Sequence, residues 1–332
     1  MRPRQAPERS SNRDPPMTIA AVAAQRLTDA LRLASRRGAG ARCVLVIDPF
    51  VLAPKLLRNV EQRRLVRVPF HNRPELRADQ RLCLIDLREA DDPFLEESTR
   101  QASTEIELEH DQQPTGRSIG GWLQTDSSAP QVAAHLELAI NQRDMDRQLR
   151  YVRLGDPRVL LPLWSAMSAQ DQRRLLGPIG VWHAVDRLGN LCSLSSQAPL
   201  DNSAWRATPS QWAILGRLFI ANQALSQWHV EPERASLPGD THALADALIC
   251  HATRLGITHT DDQIAFCLAG LRHGETFFDH PRVSALLPSV VQGKRPFDDV
   301  LAEAISAEDW AQIEREHPRR PANSTITPRA AP

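Results

Sequence analysis

The stretch Leu149–Trp182, LRYVRLGDPRVLLPLWSAMSAQDQRRLLGPIGVW, decides the fold of the chain around it. Its first residues, Leu149 to Leu154, fit the two-residue period of a β-strand, which places Val152 and Leu154 on one face. Gly155 ends that strand, the Asp156 carboxylate can cap a helix, and Pro157 suits the first helical position because no N–H partner is lost there. The stretch therefore predicts a strand, a sharp stop and a helix.

The second half of the same stretch predicts a further helix and strand. Ser168 is positioned to begin the helix, and the pair Gly177-Pro178 ends it. Ile179 and Trp182 then belong to the next strand.

The stretch also contains a charged group, formed by Arg153, Asp156 and Arg158. We interpret it as structural, with Asp156 capping the helix while an arginine pairs with it. The alternative is that this charged corner is a docking point for a partner.

Composition restricts the functional classes. The chain has 332 residues with 40 basic and 40 acidic side chains, and this zero net charge argues against a dedicated nucleic-acid-binding protein. The five cysteines are scattered and odd in number, which is typical of free thiols in a reducing compartment. The sequence has no uninterrupted apolar run of about 18 residues, so no membrane span is predicted. We therefore expect a cytoplasmic protein.

The α/β pattern extends on both sides of the opening stretch. Residues 1–17 are polar and predict a disordered tail, with Met17 as an alternative start. Residues 18–196 predict an α/β lobe with a mixed sheet, beginning with an amphipathic helix over 18–37. A strand followed by Asp-Pro and a helix recurs within it, at Asp48, Asp92 and Asp156. The strands are predicted at residues 43–47, 65–70, 82–87, 116–125, 149–154, 181–185 and 191–194.

The pattern changes after a polar connector. Residues 208–317 predict an all-α C-terminal lobe, because helical spacing and capping signals replace strand signals. Capping boxes are predicted at Thr208 and Thr260, and a cap at Ser306. Residues 318–332 predict a second disordered tail.

Motifs for chemistry are missing from the sequence. GxSxG, HExxH and paired Cys/His spacings do not occur, so we assign no catalytic, cofactor-binding or metal-binding residue. The acidic run Asp86, Glu89, Asp91 and Asp92 leaves a hydrolase as an alternative, although a solvated loop explains it. A histidine such as His251, on an apolar helical stripe, is more typical of a core residue than of a metal ligand.

Several segments resemble the effector adaptor (chaperone) proteins of type VI secretion that are built on domain of unknown function 4123, DUF4123. The resemblance covers roughly residues 42–195, through VLVIDPFVLAPKLL, LCLIDLREADDPFLEES and GGWLQTDSSAPQVAAHLELAI. Its most specific part is an Arg-x-x-Asp-Pro-Arg motif with a later Gly-Pro and a Trp. In this chain these are Arg153, Asp156, Pro157, Arg158, Gly177, Pro178 and Trp182.

The resemblance implies a cytoplasmic adaptor that is not an enzyme. We expect no cofactor, and from the net charge and the missing apolar span we expect neither nucleic acid nor a membrane as a partner. The partners of the adaptor would be a toxic effector and the valine-glycine-repeat spike protein. The chain has Leu154 and Gly155 where the family often has aromatic residues, and we expect this departure to loosen the packing of the corner. Two alternatives stay open beside the adaptor: a hydrolase, and a regulator that binds a small molecule in a cleft between the lobes.

Overall fold

The computed structural model describes residues 19–37, 42–49, 55–61, 64–69, 77–88, 91–111, 116–200, 203–229 and 241–316. An α/β N-terminal lobe is followed by an all-helical C-terminal lobe, which confirms the predicted fold class. The two predicted disordered tails lie outside the described residues, as does most of the helix predicted after Asp48. From that helix the structure describes a short 3-10 helix, Lys55–Asn59.

The α/β lobe contains eight described strands and five described α-helices. The strands are β1 Arg42–Ile47, β2 Leu65–Arg67, β3 Cys83–Leu87, β4 Ile119–Thr125, β5 Asn141–Arg143, β6 Leu149–Tyr151, β7 Ile179–Val185 and β8 Leu191–Leu194. The helices are α1 Ile19–Arg37, α2 Pro93–Asp111, α3 Ala129–Ile140, α4 Pro157–Ser165 and α5 Ala169–Leu176. β5 and β6 form a separate hairpin, in which β5 was not predicted.

The main sheet has the strand order β2-β3-β1-β4-β7-β8. We predicted a mixed sheet, but each of its five pairings is antiparallel. Alternation of strands and helices does favour parallel connections. Here β3 and β4, joined through α2, run parallel to each other but have β1 between them. The helical crossover therefore skips a strand, and every neighbouring pair runs in opposite directions.

Apolar layers cover both faces of the sheet. In β1, Val44 and Val46 face the layer that contains α3, α4 and α5, while Leu45 and Ile47 face the layer that contains α1 and α2. All four side chains are fully buried. This explains the continuous apolar run, since a strand covered on both faces has no solvent-facing positions.

Two of the three caps predicted for the helical lobe are confirmed. Its helices are α6 Pro209–His229, α7 Thr241–Arg254, α8 Thr260–His273, α9 Pro281–Ser284, α10 Leu287–Val291, α11 Phe297–Ala304 and α12 Ala307–Glu316. The predicted box at Thr208 and the predicted cap at Ser306 both form. The box at Thr260 was wrong, because Thr260 is already helical and the Gln263 side chain donates to Thr253 and to the Ile257 carbonyl.

A helix that crosses a bilayer needs about 20 predominantly apolar residues. None of the helices in the described ranges is long and apolar enough to cross a bilayer.

Candidate functional site

The Arg-x-x-Asp-Pro-Arg motif, residues 153–158, forms a buried corner between β6 and α4. Asp156 is the N-cap of α4 and Pro157 takes the first helical position, as predicted. The Asp156 carboxylate accepts from the backbone N–H of Arg158 at 3.0 Å, and the Arg158 guanidinium donates to both carboxylate oxygens at 3.1 and 2.9 Å. Asp156 and Arg158 are both buried, so this forked pair lies away from solvent.

The electrostatics of the corner keep Asp156 ionised. Burial by itself would raise the pKa of Asp156, but the charges and hydrogen bonds of Arg158, with the charge of Arg153, outweigh it and lower the pKa to about 2. The carboxylate is therefore a fixed negative charge, neutralised by its neighbours.

Arg153 joins the corner to the end of β1. Its Nε and Nη2 atoms each lie 3.1 Å from one carboxylate oxygen of Asp48, and its Nη1 atom lies 3.7 Å from Asp156. Asp48 is fully buried and its backbone N–H donates to the Ser118 carbonyl at 2.8 Å. Two aspartates that are far apart in sequence thus share one arginine.

Arg117 extends the same network to the hairpin between β7 and β8, and nothing in the sequence pattern indicated it. Its backbone N–H approaches Asp156 at 3.4 Å, and its Nη1 atom donates to the carbonyls of Val185 and Asp186 at 3.0 and 2.9 Å. The Arg117 side chain is buried. Since it precedes a strand in a loop, only the folded arrangement brings it to the corner.

Gly155 makes the corner tight. A Cβ atom at Gly155 would lie 2.5 Å from Leu82 Cδ1 and 2.9 Å from Asp48 Cβ. From the other side, a Cβ atom at Gly120 would lie 2.7 Å from the Gly155 carbonyl. The expectation that Leu154 and Gly155 loosen the packing was therefore wrong. Without side chains, Gly155 packs closely on Leu82 and Asp48, and Gly120 of β4 packs closely on the Gly155 carbonyl.

The later motif residues lie where α5 ends and β7 begins, and within β7 itself. Gly177 ends α5 with φ +54°, and a Cβ atom there would overlap the His135 ring. The Pro178 carbonyl accepts from the Thr125 hydroxyl at 2.7 Å. Trp182 is fully buried, and its indole N–H donates to the Gly120 carbonyl at 3.0 Å. Gly120 therefore connects Trp182 with the Asp156 corner.

Exposure decides how a partner could reach these residues. Asp156, Pro157, Arg158 and Trp182 are buried, whereas 22 % of the Arg153 side chain is exposed. Gly177 and Pro178 are half-buried. Direct docking of a partner on the corner stays a prediction. In that case Arg153 would contact the partner, and the buried charged groups would hold Arg153 in position.

The acidic run after β3 has structural contacts. Asp92 is buried, pairs with Arg64, and accepts from the backbone N–H groups of Arg88 and Phe94 at 3.0 Å each. Asp86 pairs with Arg42 at 3.1 Å. Glu89 lies outside the described residues. The carboxylate on which the hydrolase alternative most depends is thus engaged as the cap of α2.

Histidines of the helical lobe lie among aromatic side chains. The His251 ring packs on Phe278 with 4.9 Å between centroids, and the His273 ring stacks on Trp310 at 3.7 Å. Within the described ranges, no three His, Cys, Asp or Glu side chains are grouped so that they could hold a metal ion.

Polar contacts connect the two lobes. Arg187, in the hairpin between β7 and β8, donates to the Asn222 side chain on α6. Gln211 of α6 donates to Asp171 of α5 at 3.3 Å. Trp212 packs against the core of the α/β lobe. The corner therefore reaches the helical lobe in three steps, through Arg117, the hairpin and α6.

His242 lies at this junction and predicts a pH dependence. Burial lowers its pKa to about 4, assisted by the Arg187 charge and opposed by Asp246, and its Nε2 atom is buried without a hydrogen-bond partner in the described structure. As the pH falls, the His242 side chain is therefore protonated in the unfolded chain before it is protonated in the folded chain. We expect folding stability to decrease between about pH 6.5 and pH 4, by about 3 kcal/mol from this residue.

Urea unfolding at pH 7, 5.5 and 4 measures this effect. His242→Gln should lose less stability over that range than the wild type, whereas His259→Gln, at an exposed position, should not differ from it. Equal losses for the wild type and His242→Gln would contradict the assignment.

Comparison with known proteins gives one match. No curated protein and no solved structure matches the chain. A family model covers β1 to most of α5, including Arg153, Asp156, Pro157 and Arg158 but ending before Gly177. Residues 45–174 match the family described as Domain of unknown function (DUF4123).

Proposed function

We propose that the protein is an adaptor, or chaperone, that binds a type VI secretion effector and helps to load it on the valine-glycine-repeat spike protein. The observation that carries this proposal is the DUF4123 match, which includes the Arg-x-x-Asp-Pro-Arg motif. The adaptor role itself comes from the family resemblance of the sequence. Cytoplasmic location and the absence of enzymatic activity are part of the same proposal.

The geometry of the motif supports a binding role. Its charges neutralise one another in a buried network that holds β1, β4 and the β7–β8 hairpin together. Such a network fixes the shape of a surface, since its members are held by several contacts each. The contacts from Arg187 to α6 then align the helical lobe with the α/β lobe.

Phe219 is the residue that we assign to the partner contact. It lies on α6 with 63 % of its surface exposed, and it is three residues from Asn222, which faces the hairpin. An aromatic side chain next to a junction can be buried by a partner that touches both lobes, and aromatic residues contribute strongly to such interfaces.

Binding of purified components tests the proposal. The chain should bind either an effector or the spike protein from the same cell at micromolar concentration in calorimetry. Phe219→Ser should weaken that binding about tenfold or more, because burial of a Phe side chain contributes roughly 1.5–3 kcal/mol. Leu138→Ser, at a similarly exposed position on α3, is the matched control and should bind normally.

Failure to bind any effector or spike at tens of micromolar would refute the adaptor function. Normal binding by Phe219→Ser would leave the adaptor in place but remove Phe219 from the contact.

A further inference from the structure

The sheet of the α/β lobe ends in a strand with an open edge. β8 is the last strand in the order, and among the described helices and strands only β7 packs extensively against it. The backbone N–H of Asp186 donates to the Asn190 carbonyl. By the alternation of an antiparallel pair, Ala184–Cys192 and Trp182–Leu194 are then the pairs that exchange hydrogen bonds. The backbone groups of Leu191 and Ser193 must then point away from β7.

These outward groups are available for another strand. The backbone N–H groups of Leu191 and Ser193 make no hydrogen bond to any residue that the structure describes. An edge of this kind is a template for strand pairing unless it is blocked.

The usual blocking devices are missing from β8. No charged residue occurs from Leu188 to Leu200, and proline occurs in that segment only beyond the strand, at Pro199. The opposite edge of the same sheet differs, because β2 carries Arg67 and follows Arg64 directly. Charge protects one edge and not the other.

We propose that β8 pairs with β8 of a second copy of this chain, in antiparallel orientation about a two-fold axis at Cys192. Two observations select a second copy as the occupant. The outward groups are self-complementary, since Leu191 of one copy would exchange hydrogen bonds with Ser193 of the other. The two-fold axis also pairs residues that lie equally far on either side of Cys192, and because β8 carries no charge, no like charges meet across this pairing.

The two-fold arrangement places Cys192 opposite itself. In an antiparallel pair this position is not hydrogen-bonded, so its two Cα atoms would be about 4.5 Å apart. Cys192 is half-buried, and burial raises the pKa of its thiol, so a mildly alkaline pH is needed for reaction. A short bis-maleimide should then join two chains through Cys192.

Sedimentation velocity on the full chain at 1–100 μM is the primary test. The wild type should sediment as a dimer, with about twice the mass of 37.1 kDa. Ser193→Pro should be monomeric, because it removes an outward donor while leaving the bonds to β7 intact. Ser193→Ala is the matched control. It keeps that donor, loses the same contact of the hydroxyl with His183, and should remain dimeric.

Crosslinking locates the contact. With Cys43 and Cys250 replaced by serine, the bis-maleimide should give a covalent dimer that the further change Cys192→Ser abolishes. A wild type that is monomeric throughout, or a Ser193→Pro dimer of undiminished stability, would overturn the proposal. A monomeric wild type whose binding to an effector is lost in Ser193→Pro would also overturn it, because a partner strand would then occupy the edge. Thermal melting of each variant checks folding.

Discussion

Replacing Asp156 with alanine is expected to lower the free energy of unfolding by about 3–5 kcal/mol. The substitution removes the cap of α4 and leaves the buried Arg158 guanidinium without the carboxylate that it grips with two nitrogen atoms. Arg153 keeps its contact with Asp48. Urea unfolding followed by circular dichroism measures the loss. Ser168→Ala is the matched control, because Ser168 caps α5 through one exposed hydrogen bond and should cost only about 1 kcal/mol.

The same variant separates the two interpretations of the motif. If the corner is structural, Asp156→Ala lowers stability and weakens partner binding only as far as the fold is lost. Unchanged unfolding with lost binding would instead favour docking at the corner. Equal costs for Asp156→Ala and Ser168→Ala would show that capping accounts for the whole contribution of the carboxylate.

Gly121→Ala is expected to destabilise the protein by about 4 kcal/mol or more, through overpacking and backbone strain together. Gly121 has φ +119°, and a Cβ atom there would lie 2.1 Å from the His183 carbonyl oxygen and 3.0 Å from the Trp182 indole nitrogen. The carbonyl belongs to the paired strand β7, so it cannot move without breaking the sheet.

Gly189→Ala gives the comparison. Gly189 also has a positive φ, +84°, but no atom lies within 4 Å of its Cβ position, so the expected cost is about 1–2 kcal/mol from backbone strain alone. Thermal and urea unfolding of the two variants measure the difference. Similar losses at both glycines would show that the close approach to β7 contributes little.

Local signals in the sequence predicted most of the fold. Asp156 and Ser168 cap the helices that they were expected to cap, because a cap depends on residues within one turn. The apolar run of β1 likewise predicted a strand, which the structure shows to be buried on both faces. The capping box predicted at Thr260 did not form, because the Gln263 side chain hydrogen-bonds to Thr253 and Ile257, which precede the helix.

The rest depends on contacts between distant segments. The direction of neighbouring strands was not predictable, because a strand–helix alternation does not say which strand will be inserted between two others. The pairing of Asp48 with Arg153 and the position of Arg117 were missed for the same reason. These contacts turn a recognisable motif into a network, and only the assembled sheet brings them together.

The central position of β1 has a consequence for synthesis on the ribosome. Val44 pairs on one side with Asp86 and on the other with Leu123. The edge of β1 that later pairs with β4 therefore stays unpaired while α2 and the segment before β4 are translated. Pairings that close such long loops form slowly, and exposed apolar edges associate in the meantime. The nascent chain therefore passes through a stage in which β1 needs protection, and slower translation just before β4 would lengthen it.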